Sequence, residues 1–145
     1  MEFSGKKVTV VGSGISAIGE VVLLNAVGAE VVLYDGNEKL KIEDIEKKLG
    51  TYKAEIVLGE LTKELTDSSD LLVISPGVPI DSPVVKAFEA AGVPVWGEVE
   101  LAYAFDKGKV LAITGTNGKT TTTALVGQIV GAYHKDTFVV GNIGN

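Results

Sequence analysis

The sequence predicts an α/β fold, a parallel sheet covered by helices on both faces, from three observations. Short β-branched runs alternate with longer stretches of helical period. The runs are too apolar for a sheet with one wet face, so both faces need cover, which βαβ units supply. Each run also ends in a glycine, an aspartate or a Ser-Pro-Gly signal, the residues that close strands for backbone reasons.

In chain order, strands are expected at 7–11, 30–34, 54–58, 71–74 and 93–96. Between them the period of 3.6 places helices at 15–27, 42–49 and 83–91, with a short one at 98–104. Ser82 before Pro83 is a good helix start, because the hydroxyl caps and the missing proline N–H would be unpaired anyway. At Phe105-Asp106-Lys107-Gly108-Lys109 the composition turns polar, and a new strand at 110–114 and a new helix at 119–131 follow. The expected division is therefore a first domain over 1–105 and, over 106–145, a linker with the start of a second.

Composition narrows the function. With 145 residues and 46% hydrophobic content the chain can build a core and lacks the polarity of a disordered one. Its apolar runs are far shorter than the roughly 20 residues that span a bilayer, so no membrane partner is expected. The N-terminus enters a strand pattern directly, not a secretory signal, so the expected address is cytoplasmic. Having no cysteine, the chain forms no disulfide or thiolate metal site. A net charge of −6 and the lack of arginine argue against a nucleic-acid surface, so any phosphate is held mainly by backbone N–H groups and a few lysines.

Two glycine loops carry the chemistry. Gly12-Ser13-Gly14-Ile15-Ser16-Ala17 follows the first strand and opens a helix, and the second strand ends at Asp35. In dinucleotide-binding folds the first glycine allows the turn, the second admits a pyrophosphate and the small third residue lets helix and sheet approach. The acidic residue then holds a ribose. These features extend the fold expectation to a Rossmann-like sheet, while a ligand-free βα turn remains the plain alternative. The second loop, Thr114-Gly115-Thr116-Asn117-Gly118-Lys119-Thr120-Thr121, stands between a strand pattern and a helix. Its inward N–H groups form an anion nest, the lysine neutralises outer phosphates and the threonine hydroxyl ligates magnesium, as in a P-loop ATPase. Ile113 occupies the place of that motif's first glycine, so this is a shortened form.

That shortened loop resembles the one shared by the ATP-dependent Mur ligases and their folylpolyglutamate relatives. Ser75-Pro76-Gly77-Val78-Pro79, Gly97-Glu98-Val99-Glu100-Leu101 and Gly141-Asn142-Ile143-Gly144 follow the first loop in the order seen in the D-glutamate-adding Mur ligases. The resemblance spans the whole chain. It implies a three-domain enzyme that binds UDP-N-acetylmuramoyl-L-alanine, then ATP with Mg2+, then D-glutamate, and forms a peptide bond through an acyl phosphate. Carried over by position, it implies that Gly14, Ile15 and Ser16 meet the uracil region and that Asp35, Gly36 and Asn37 meet the uridine. Ser75, Pro76, Gly77 and Asn142 would lie by the diphosphate. Gly115, Thr116, Asn117, Gly118, Lys119, Thr120 and Thr121 would hold ATP, with Lys119 and Thr120 in catalytic roles and Thr120 on the metal. Ala17 replaces a glycine more usual in the family, and Gly36-Asn37 stand where some relatives place Thr-Arg.

The family's magnesium-binding glutamate, modified lysine and catalytic histidine would lie beyond Asn145, so the chain is expected to be an inactive N-terminal piece prone to self-association. Three alternatives stay open: an NAD(P)-dependent oxidoreductase built on the first loop, a non-enzymatic nucleotide-binding or interaction module, and a Mur ligase adding a different amino acid. The first leaves the second loop unexplained.

Overall fold

The computed structural model describes residues 2–141, which divide into two compact units, the first ending at Asp106 and the second beginning at Lys107. In the first unit β1 (Lys7–Val11), β2 (Glu30–Asp35), β3 (Glu55–Leu58), β4 (Leu71–Ile74) and β5 (Val95–Gly97) form a parallel sheet in the order β3-β2-β1-β4-β5. Its helices are α1 (Ile15–Ala26), α2 (Ile42–Leu49), α3 (Lys63–Ser68), α4 (Pro83–Ala90) and α5 (Glu98–Phe105). The second unit contains α6 (Lys119–Tyr133).

Alternation along the strands sorts the core into two layers. Val8 and Val10 of β1, Val31 and Leu33 of β2 and Leu71 and Val73 of β4 pack against Ala17, Val21 and Leu24 of α1, Ile45 and Leu49 of α2 and Leu101 of α5. Val11, Val32, Tyr34, Leu72 and Ile74 turn the other way, onto Leu65 of α3 and Val85 and Phe88 of α4. Thr9 of central β1 is fully buried and lies 2.8 Å from Ser69 Oγ. Ser69 Oγ gives its own hydrogen to the Leu65 carbonyl at 2.7 Å, so Thr9 is the donor of the first bond and the pair is satisfied. Near the chain start Phe3 packs edge-on against Trp96, with ring centroids 6.1 Å apart, and against Phe105 at 4.8 Å.

Several expectations are corrected. Helix α3 was absent from the sequence reading; it is only six residues long and is marked chiefly by Thr62, whose hydroxyl accepts from Leu65 N at 3.3 Å. Strand β5 starts at Val95 because Pro94 has no N–H to enter the ladder, although its carbonyl accepts from Leu72 N at 2.9 Å. Ser82 stands at the N-cap of α4, but its hydroxyl makes no capping bond and has no hydrogen-bond partner. The strand expected at 110–114 does not form: β-structure is defined by a lateral partner, and among the described residues after Lys107 none pairs with it. No described helix is long and apolar enough to cross a membrane.

Within the second unit Gly127 of α6 is a place of close approach, because a Cβ built there would run into the Val139 side chain. Gly127→Leu is expected to push the 137–140 segment off the helix, and faster amide exchange there, with the first unit unaffected, is the measurement that checks it.

Candidate functional site

The chain leaves β1, builds outward through β2 to β3, then returns to β1's other side as β4. Because α1 covers one face and α4 the other, the loops after β1 and β4 lead from the carboxyl ends of two adjacent strands to helices on opposite faces. Open α/β sheets bind ligands at this reversal of strand order, where a crevice forms without any cost to the core.

Both loops there are ones the sequence singled out. Gly12 carries φ +110 and gives its N–H to the Tyr34 carbonyl at 2.8 Å. A Cβ at Gly12 would lie 3.3 Å from Ser75 Oγ, so glycine is needed both for the backbone angle and for the approach of the two loops. Ser75 Oγ is buried without a hydrogen-bond partner and lies at that approach. Ser75-Pro76-Gly77-Val78 is a tight turn, closed by Val78 N donating to the Ser75 carbonyl at 2.9 Å, which leaves Pro76 and Gly77 exposed. Gly14 is the N-cap of α1, which has neither a side-chain cap nor an acidic residue in its first turn. Its leading N–H groups, from Ile15 and Ser16 onward, have no intrahelical acceptor and carry the positive end of the helix dipole. Ile15 is 95% exposed there, an unusual place for an isoleucine.

Asp35 ends β2 next to this crevice. Its Oδ2 accepts from Ser13 Oγ at 2.7 Å and its Oδ1 from Asn37 N at 3.0 Å, while Asn37 Oδ1 accepts from Lys39 N at 3.1 Å. Two consecutive side-chain turns thus shape Gly36 and Asn37. Tyr34 OH donates to the Gly59 carbonyl at 2.8 Å, and burial, with Asp35 second, pushes the phenol's pKa up, so it stays a donor. The structure therefore gathers Gly14, Ile15, Ser16, Asp35, Gly36, Asn37, Ser75, Pro76 and Gly77 along one edge of the sheet; Asn142 lies outside the described residues. Ser13 holds the middle position of G-x-G, which has no fixed chemistry, so the motif alone assigns it no role.

In the second unit, Gly115 at φ +145 and Gly118 at φ +76 adopt backbone angles that favour glycine. Gly118 is the N-cap of the 15-residue α6, which has no side-chain cap and no acidic residue in its first turn. Lys119 Nζ donates to the Gly115 and Thr116 carbonyls, which curls its ammonium over the loop, and Thr116, Asn117, Thr120 and Thr121 are exposed around it. A loop of free N–H groups with a lysine folded over it fits the phosphates of a nucleotide.

A family model described as Mur ligase MurD-like, N-terminal domain, matches residues 6–97. The chain belongs to the MurD-like Mur ligases. Over its full length this Mur ligase chain is 66% identical to the UDP-N-acetylmuramoylalanine--D-glutamate ligase of Lachnospira eligens, covering 32% of that protein. It is 56% identical to the enzyme of the same name from Lachnoclostridium phytofermentans, with 99% of this chain and 32% of that protein aligned. The Mur ligase chain thus spans about a third of the length of these curated relatives. Among solved structures, a pseudomurein peptide ligase type C from Methanothermus fervidus superposes with a TM-score of 0.57 at 26% identity, over 88% of this chain and 27% of that one. A shikimate dehydrogenase from Aquifex aeolicus reaches 0.50 at 15% identity, over 76% of this chain and 52% of that one, which is a likeness of fold alone.

Proposed function

We propose that this Mur ligase chain is the nucleotide-holding part of an ATP-dependent ligase that adds D-glutamate to UDP-N-acetylmuramoyl-L-alanine in peptidoglycan-precursor synthesis. In this reading the switch-point crevice takes the uridine diphosphate, the loop 115–121 takes ATP with Mg2+, and the domain division lies at 105/106. The observation that carries it is the meeting, at one sheet edge, of a glycine loop, an uncapped helix start and a fixed carboxylate. The N–H groups at the start of α1 and the unpartnered Ser75 hydroxyl suit a diphosphate, and Asp35 suits a ribose.

In the proposed reaction the γ-phosphoryl group of ATP passes to a carboxylate oxygen of the substrate, releasing ADP. The D-glutamate nitrogen then attacks the acyl carbon and expels phosphate as the amide bond forms. This chain's share is positioning: Lys119 sets its ammonium against the outer phosphates and Thr120 offers a hydroxyl to the metal, and phosphoryl transfer needs several further groups at once. The 145-residue chain is accordingly expected to turn over no substrate. A cytoplasmic location goes with these reactants.

Calorimetric titration with UDP and with NADH tests the reading. UDP is expected to bind and NADH to give no saturable heat. Asp35→Ala is expected to weaken UDP about tenfold, the worth of one hydrogen bond to a charged group, while changing stability by less than about 1 kcal/mol. Saturable NADH binding with no response to UDP would transfer the site to the oxidoreductase reading.

A further inference from the structure

Asp35 does not hold its own orientation. A carboxylate at the end of a strand rotates about its last torsion with little hindrance, and an acceptor that rotates loses part of its bond energy as entropy. Here each oxygen is held from a different element: Oδ1 by the Asn37 backbone at 3.0 Å, and Oδ2 by the Ser13 hydroxyl at 2.7 Å. The second contact is a well-formed hydrogen bond, at the usual O–H···O distance. It also crosses from the β1–α1 loop to the end of β2, a separation of 22 residues in sequence.

Ser13 is itself fixed. The neighbouring Gly12 N–H is bonded to the Tyr34 carbonyl at 2.8 Å, and Lys48 of α2 reaches the Ser13 carbonyl at 3.4 Å. A carboxylate oxygen accepts about two hydrogen bonds, so after these contacts each Asp35 oxygen keeps one acceptor direction for a ligand. We propose that Ser13 is a positioning residue that locks the Asp35 carboxylate for hydrogen bonds from the ribose hydroxyls of the bound nucleotide. This rests on the reading of the crevice as a uridine-nucleotide site. It assigns the middle residue of the glycine loop to sugar recognition through Asp35 and not to the phosphates beside it.

The test is a double-mutant cycle on the 145-residue chain, titrated with UDP and with 2′,3′-dideoxy-UDP, which lacks both hydroxyls. Ser13→Ala is expected to weaken UDP about fivefold, in the range of one neutral-donor hydrogen bond, and to leave the dideoxy analogue almost unchanged. Ser13→Thr, which keeps the hydroxyl, is expected to restore the preference for UDP. In an Asp35→Ala background Ser13→Ala is expected to add nothing, because the group it positions is gone. Equal weakening of both ligands by Ser13→Ala, or full additivity with Asp35→Ala, would make Ser13 a structural part of the loop and overturn the proposal. If UDP binds and responds to Asp35→Ala but not to Ser13→Ala, the positioning role alone fails. If UDP does not bind the unaltered chain, the crevice reading fails and takes this proposal with it.

Discussion

Glu20→Gln is expected to remove most of the fall in first-unit stability between pH 4.5 and about pH 7. Glu20 is on the inner face of α1 with Ala17, Val21 and Leu24; it is 4% exposed and neither carboxylate oxygen has a hydrogen-bond partner. Burial first, and the Glu98 carboxylate at the start of α5 second, push its pKa from 4.5 up to about 7. The folded-state value is the raised one, so below 4.5 both states are protonated and nothing is lost. Between 4.5 and about 7 the unfolded chain releases the proton while the folded chain keeps it, and stability falls as pH rises. Above that window the loss is complete, at roughly 3 kcal/mol. A glutamine of nearly the same shape cannot ionise, so its variant lacks this slope.

Trp96 is the chain's single tryptophan and packs on Phe3, so its fluorescence during urea unfolding follows the first unit. The native midpoint is expected to drop on going from acid to alkaline pH and the variant midpoint to stay nearly level across the same window. Asp70 titrates in a separate window: Lys6 and the Lys7 backbone hold its pKa below 3.8, so its contribution is lost only as pH falls well below that of Glu20. Parallel native and variant curves would mean that Glu20 is hydrated or paired in solution.

Lys119→Ala is expected to cut affinity for ATP with magnesium by about a hundredfold, because a charged partner to phosphate oxygens is worth about 3 kcal/mol. The same substitution removes only the ammonium curled onto the Gly115 and Thr116 carbonyls of an exposed loop, so α6 is expected to remain helical. UDP affinity is expected to be unchanged, since Lys119 is not among the residues assigned to that site. Gly118→Ala should also weaken ATP, through the cost of about 1 kcal/mol of placing a side chain at φ +76. Fluorescent ATP-analogue titration reads both variants. An Lys119→Ala chain that binds ATP as the native one does would assign the lysine to the loop's own folding.

The sheet was legible because its central strands β1, β2 and β4 are largely buried on both faces and marked at their ends: β1, β4 and α2 have the bounds read from sequence. What was not legible depends on partners distant in sequence. A strand at 110–114 has the right composition but no neighbour to pair with among the described residues, and α3 is too short to show a period. Ser82 has the residue type of a cap but not the bond. At the site, glycine spacing and the acid at the end of β2 were visible, since backbone angle and strand order fix their chemistry. The Ser13 bond to Asp35 was not, because it joins two loops that only the folded sheet brings together. Glu20 escaped notice for a similar reason: its burial depends on how α5 returns over α1.

The measurement that bears most directly on the uridine-nucleotide site is a backbone amide chemical-shift titration of the 145-residue chain with UDP. The amides of Gly12 to Ser16, Asp35 to Asn37 and Ser75 to Val78 are expected to move together along one binding curve, with those of Gly115 to Thr121 still until ATP and magnesium are added. Shifts confined to Gly115 to Thr121, or none at the sheet edge at saturating UDP, would contradict a uridine-nucleotide site at the β1–β4 switch point.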